Sequence, residues 1–130
     1  AKYASLLGEK LESSDTTVWL VNTGWSGGSY GVGERMKLSY TRAMITSALE
    51  GELDDIKFDT LPVFELSYPT SCPGVPTELL NPKETWTDAS LYDETASKLA
   101  SKFVVNFESF KDEASPKILA AAPKILVKSE

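Results

Sequence analysis

Five glycines crowd the ten residues from Gly24 to Gly33, at positions 24, 27, 28, 31 and 33, and Arg35 follows two residues later. Glycine at this density lets backbone N–H groups approach an anion, because no Cβ stands in the way. A phosphate placed there would meet backbone donors, the N-terminus of a helix opening just beyond, and the Arg35 guanidinium, which can pair with phosphate oxygens or stack on a base. On the first turn of that helix Thr41 offers a hydroxyl or simply fills the inner face, while Arg42 is read as solvating the outer one. The string matches neither G-x-x-x-x-G-K-[ST] nor G-x-G-x-x-G. Composition therefore leaves two readings open, an anion cradle or a mobile connection that touches no ligand. Glu34, beside Arg35, works against a simple cradle.

Other chemistry is sparse. The chain has no histidine and one cysteine, Cys72, which excludes Cys/His metal sites, His-based triads and an internal disulfide. Cys72, between Ser71 and Pro73 with no cation or base nearby in sequence, reads as a packed thiol rather than a nucleophile. Asp54-Asp55 reads as a solvated turn. Trp19 is expected in the core; Trp25 is either a cap on apolar surface or a pocket wall, and the cap is favoured. Thirteen basic against 19 acidic residues give a net charge of -6, so nucleic acid is not an expected partner. No run approaches the roughly 18 apolar residues of a membrane span, and the expectation is a soluble, cytoplasmic protein.

The elements that must position the loop follow from periodicity. Ala4, Leu7 and Leu11 predict a short amphipathic helix ended by Ser13-Ser14-Asp15. Val18-Trp19-Leu20-Val21 is continuously apolar and predicts a strand covered on both faces of a largely parallel sheet. After the glycine segment a helix is predicted from Ser39, its N-cap, with Leu38, Thr41, Ile45, Ala48 and Leu49 as its apolar stripe and Gly51 as its stop. Ile56–Asp59 and Val63–Tyr68 suggest a hairpin around Leu61-Pro62. Pro69 to Pro76 predicts an ordered irregular segment. Asp88 caps a long helix with apolar positions Tyr92, Ala96, Leu99, Phe103, Phe107 and Phe110, a wide aromatic face that needs a substantial partner. Ser115 to Ala122 suggests a further helical turn. The chain has 130 residues, sufficient for one core. It opens at Ala1 inside a helical pattern, and the expectation is a piece of a longer polypeptide.

Two blocks of sequence are more specific than a glycine-rich loop. The first is Val-Trp-Leu-Val-Asn-Thr-Gly-Trp-Ser-Gly-Gly-Ser-Tyr-Gly-Val-Gly from Val18, followed by Arg35-Met36-Lys37-Leu38 and Tyr40-Thr41-Arg42-Ala43. The second is Pro69-Thr-Ser-Cys-Pro-Gly-Val-Pro76, then Leu80-Asn81-Pro82 and Thr85-Trp86. In order and spacing they resemble the C-terminal part of the ATP-dependent phosphoenolpyruvate carboxykinases. The long aromatic helix and the closing Ala-Ala-Ala-Pro-Lys extend the resemblance over nearly the whole chain.

The resemblance implies an α/β fold, with residues 1–130 forming the C-terminal part of a mononucleotide-binding domain, a mixed sheet flanked by helices. It implies conversion of oxaloacetate and ATP to phosphoenolpyruvate, carbon dioxide and ADP, in gluconeogenesis, with Mg2+ on ATP and a second divalent ion, commonly Mn2+. The family's phosphate-binding loop, metal ligands and oxaloacetate-binding arginines lie upstream, so no catalytic or metal-ligating residue is expected in this segment. What the segment implies is the nucleotide end, with Arg35, Met36 and Thr41 contacting ATP. Glu34 departs from the family pattern, in which that position is often lysine or another non-acidic residue. The competing expectation is a free-standing nucleotide- or anion-binding module without catalysis.

Overall fold

The computed structural model describes residues 2–125. Its first element, helix α1 (Lys2–Glu12), matches the predicted amphipathic segment, although none of its residues is buried. The chain from 18 to 23 then runs without regular structure. This corrects the buried parallel strand expected at Val18–Val21. A strand needs a neighbour for its backbone groups, and none of the described elements supplies one. Trp19 alone of the four turns inward against the core; Val18, Leu20 and Val21 are exposed.

Two antiparallel ribbons take the place of the expected mixed sheet. Strands β1 (Trp25–Ser26) and β2 (Glu34–Arg35) bracket the glycines, with Trp25 opposite Arg35 and Ser26 opposite Glu34. Strands β3 (Phe58–Thr60) and β4 (Ser67–Pro69) pair as a hairpin, Asp59 facing Tyr68, but the predicted bounds are corrected: residues 56 and 57 precede β3, and residues 63–66 belong to the connection rather than to a strand. Between the ribbons lies helix α2 (Leu38–Leu49). Its N-cap is Lys37, not Ser39, and carries no side-chain cap bond. Gly51, at φ +74°, stops the helix as expected. The predicted stripe is corrected in part: Ala48 packs on the core and Thr41 is half-buried as expected, but Leu38, Ile45 and Leu49 are exposed, and Tyr40, Ala43 and Met44 take the inner positions. The helix turns its small and flexible residues inward because the inner space is already taken by Leu53, Cys72 and Val75.

Three short 3-10 turns and two helices complete the chain: turns Thr77–Leu79, Pro82–Thr85 and Glu108–Glu113, helix α3 (Ala89–Phe107) and helix α4 (Pro116–Ala120). Asp88 caps α3 as predicted, its carboxylate accepting from the N–H groups of Ser90 and Leu91. Ala96 and Ala100 of α3 are buried against Val63, with Phe64 and Tyr92 alongside. Two small clusters therefore hold the fold, one around Leu53, Cys72 and Val75, the other around Val63, Ala96 and Ala100. The predicted wide face is only half used: Leu99 and Phe103 of α3 stay exposed, and so does Phe110, which lies beyond the helix in the Glu108–Glu113 turn.

The whole chain presents 9929 Å2 of surface. A self-contained globular protein of 14.2 kDa would present about 6,800 Å2. The exposed apolar side chains of Val18, Leu20, Val21, α1, α2 and α3 contribute to the difference.

Candidate functional site: a glycine loop pinned over an apolar cleft

The β1–β2 ribbon is closed by its own backbone. Met36 N–H donates to the Gly24 carbonyl at 3.1 Å, and the N–H groups of Val32 and Gly33 donate to the Ser29 carbonyl at 3.0 and 2.9 Å. Glycine is required at Gly33 for space, since a Cβ there would stand 2.4 Å from the Ser26 carbonyl oxygen. Gly27 is required for both conformation and space: its φ is +78°, and a Cβ would come within 2.8 Å of the Thr85 carbonyl oxygen.

That close approach reflects a bond. Gly27 N–H donates to Thr85 Oγ1 at 2.9 Å, while the same hydroxyl donates to the Pro82 carbonyl at 2.7 Å. With its one proton committed to Pro82, the hydroxyl has a lone pair left for Gly27. The turn carrying Thr85 is itself fixed. Asn81 caps it by accepting from Lys83 N–H at 3.2 Å, Lys83 Nζ pairs with Asp93 of α3 at 2.8 Å, and Trp86 meets Tyr92 edge to face at 5.7 Å. Burial, followed by the nearby Asp93 carboxylate, raises the Tyr92 pKa above the ordinary phenol value.

Beneath the loop lies a cleft of about 940 Å3, whose wall includes Trp19, Trp25, Met36, Tyr68, Thr85 and Trp86. Tyr68 also has a raised pKa, chiefly through burial and then through Asp59 and Glu84. Trp25 is a cleft wall rather than the favoured surface cap, with its ring set edge-on to Tyr30 at 5.2 Å. Cys72 is buried and unpaired, the packed thiol expected, and Asp54 and Asp55 are exposed.

Of the three residues singled out for nucleotide, only Met36 lines this cleft. Arg35 is exposed on β2 beside Trp25, and Thr41 is half-buried in the first turn of α2. Cross-strand neighbours in an antiparallel ribbon share a face, so Arg35 stands next to a side chain that walls the cleft. Glu34 and Arg35 enter no ion pair among the described residues; Lys37 instead lies over the Tyr40 ring at 5.7 Å. Met36 N–H is already used by Gly24, so its carbonyl is the backbone group on that residue open to a donor. Sequence reasoning assigned no role to Thr85 or Trp86. The available signal was Asn81-Pro82, a capping residue followed by proline, which marks the start of a helical turn. Among the described residues, no group of three or more His, Cys, Asp and Glu side chains could hold a metal ion.

Short antiparallel ribbons flanked by helices, with a glycine loop pinned over an apolar cleft, define a mixed α/β chain. The profile of the family described as phosphoenolpyruvate carboxykinase matches residues 1–78, and the chain belongs to that family. It is 56% identical over 122 residues to the phosphoenolpyruvate carboxykinase (ATP) of Caldanaerobacter subterraneus subsp. tengcongensis, covering 94% of this chain and 23% of that relative. It is 55% identical over 122 residues to the enzyme of the same name from Flavobacterium johnsoniae, with the same two shares. The chain thus spans about a quarter of the length of the curated relatives it matches.

Proposed function

We propose that this chain forms the C-terminal, nucleotide-contacting part, residues 1–130, of an ATP-dependent phosphoenolpyruvate carboxykinase. The complete enzyme would convert oxaloacetate and ATP to phosphoenolpyruvate, carbon dioxide and ADP. The observation that carries this reading is 56% identity across 94% of the chain to a relative bearing that name. The large exposed surface supports it, because the remaining part of a longer polypeptide would cover the apolar residues left open here.

In this reading Arg35 supplies a fixed cation and a planar face, Met36 supplies its carbonyl, and Thr41 supplies a hydroxyl near the adenosine. Their task is to orient ATP. Bond breaking and metal binding fall to residues outside this chain, where divalent ions would neutralise charge on the transferring phosphoryl group. The reading places the enzyme in the cytoplasm; among the described residues no helix is long and apolar enough to cross a membrane.

The test is Arg35→Ala in the full-length enzyme carrying this chain. Loss of one charge-assisted contact, worth about 1.5–3 kcal/mol, corresponds to a rise of roughly 10- to 100-fold in KM for ATP. The KM for oxaloacetate should change much less. An unchanged KM for ATP would reject the nucleotide assignment.

A further inference from the structure

The glycine loop does not hold its own position. Its backbone bonds close the ribbon, but the bond reaching from its glycines to another part of the fold is Gly27 N–H to Thr85 Oγ1, across 58 residues of sequence. Thr85 is suited to this task in two ways. Its hydroxyl proton is committed to Pro82, which orients the lone pair, and its backbone carbonyl sits where any side chain at position 27 would collide. The turn is held in place by the Asn81 cap, the Lys83–Asp93 pair and the Trp86–Tyr92 contact. Among the described residues, the hydrogen-bonded path from the Pro82–Thr85 turn to the glycine loop therefore runs through the Thr85 hydroxyl.

We infer that Thr85 is a positioning residue for nucleotide binding, which acts by docking the glycine loop and so fixing Met36 at the cleft and Arg35 beside its Trp25 wall. The inference rests on the nucleotide reading given above. Thr85 need not touch the ligand. Its effect would pass through Gly27 to the ribbon, where Trp25 faces Arg35 and Gly24 accepts from Met36. An undocked loop would have to be ordered at the moment of binding, and that cost falls on affinity rather than on the chemical step.

Thr85→Val keeps the shape of the side chain and removes the oxygen; Thr85→Ser keeps the oxygen. Both are made in the full-length enzyme, with Arg35→Ala beside them. A hydrogen bond of ordinary net worth predicts a rise in KM for ATP of about three- to ten-fold in Thr85→Val, with kcat and the KM for oxaloacetate little changed. Amide exchange at Gly27–Gly33 should quicken in the same variant, and Thr85→Ser should restore both readouts. Unchanged exchange in Thr85→Val overturns the inference. So does quickened exchange with an unchanged KM for ATP in an enzyme whose Arg35→Ala variant shows a raised one. A rise in both KM values together with a fall in kcat, not recovered by Thr85→Ser, would also overturn it by marking Thr85 as a general packing residue. If Arg35→Ala leaves the KM for ATP unchanged, the nucleotide reading itself fails and positioning for nucleotide fails with it. Docking of the loop is then decided by exchange alone.

Discussion

At the residue scale, the side chains around the loop gain their roles from what their neighbours leave unsatisfied. Thr85 can accept from Gly27 because its proton already goes to Pro82, and Met36 is left with its carbonyl because its N–H goes to Gly24. Tyr92, edge to face with Trp86 and beside Asp93, shows the same dependence in its raised pKa, set by burial and then by the Asp93 carboxylate. Its raised pKa means that the folded chain keeps a proton that the unfolded chain releases near pH 10. The unfolded state then binds fewer protons, so this contribution is fully present below about pH 10 and is lost as pH rises through the folded value. Tyr92→Phe should therefore flatten part of the alkaline loss of stability, measured as urea midpoints at pH 9 and pH 11. Equal losses in the two proteins would contradict this. Arg35, Met36 and Thr41 are named as nucleotide contacts by the resemblance, and residue type adds only that Arg35 carries a cation and Thr41 a hydroxyl. Thr85 could not be picked out, because its partner lies 58 positions away and no local pattern encodes that pairing.

At the element scale, legibility follows the range of the forces involved. α3 is legible as a helix because its cap and its apolar repeat both act within a few residues; Asp88 caps it and Ala96 is buried as expected, while the second buried position is Ala100 and not Leu99 or Phe103. Replacing Asp88 by Ala removes acceptors from two N–H groups, at a cost of about 1 kcal/mol. Amide exchange at Ser90 and Leu91 should then quicken by roughly five-fold, while exchange near Ala100 stays close to wild type; no change at Ser90 would count against the cap. The Gly51 stop is legible for the same local reason, and the β3–β4 hairpin is legible in its existence but not in its second strand, which begins at Ser67 rather than Val63. Val18–Val21 is not legible, since an apolar run states a preference for burial but does not supply the strand that must lie beside it. The inner face of α2 is legible only at Ala48 and Thr41; Tyr40, Ala43 and Met44 pack beside Leu53, Cys72 and Val75 in a space set by contacts distant in sequence.

At the scale of the whole molecule, the surface is about half as large again as a self-contained chain of this mass requires. Its apolar part includes Leu20 and Leu49, both 82% exposed, and Val105 at 73%. If a longer polypeptide covers these residues, an antibody raised to the stretch from Ser109 to Glu130 should detect a native band roughly four times heavier than 14.2 kDa, since the matched region is 23% of its relatives. A native band at 14.2 kDa would instead favour a binding module without decarboxylation. The contact between Gly27 and Thr85 has a further consequence, one of timing. At about 5–20 residues per second, extending the chain by the 58 residues from Gly27 to Thr85 takes about 3–12 s. For that interval the glycine loop has left the site of synthesis and its anchor has not been made. During translation it is therefore a segment open to proteases and chaperones, and it closes only when the turn at Pro82–Thr85 arrives.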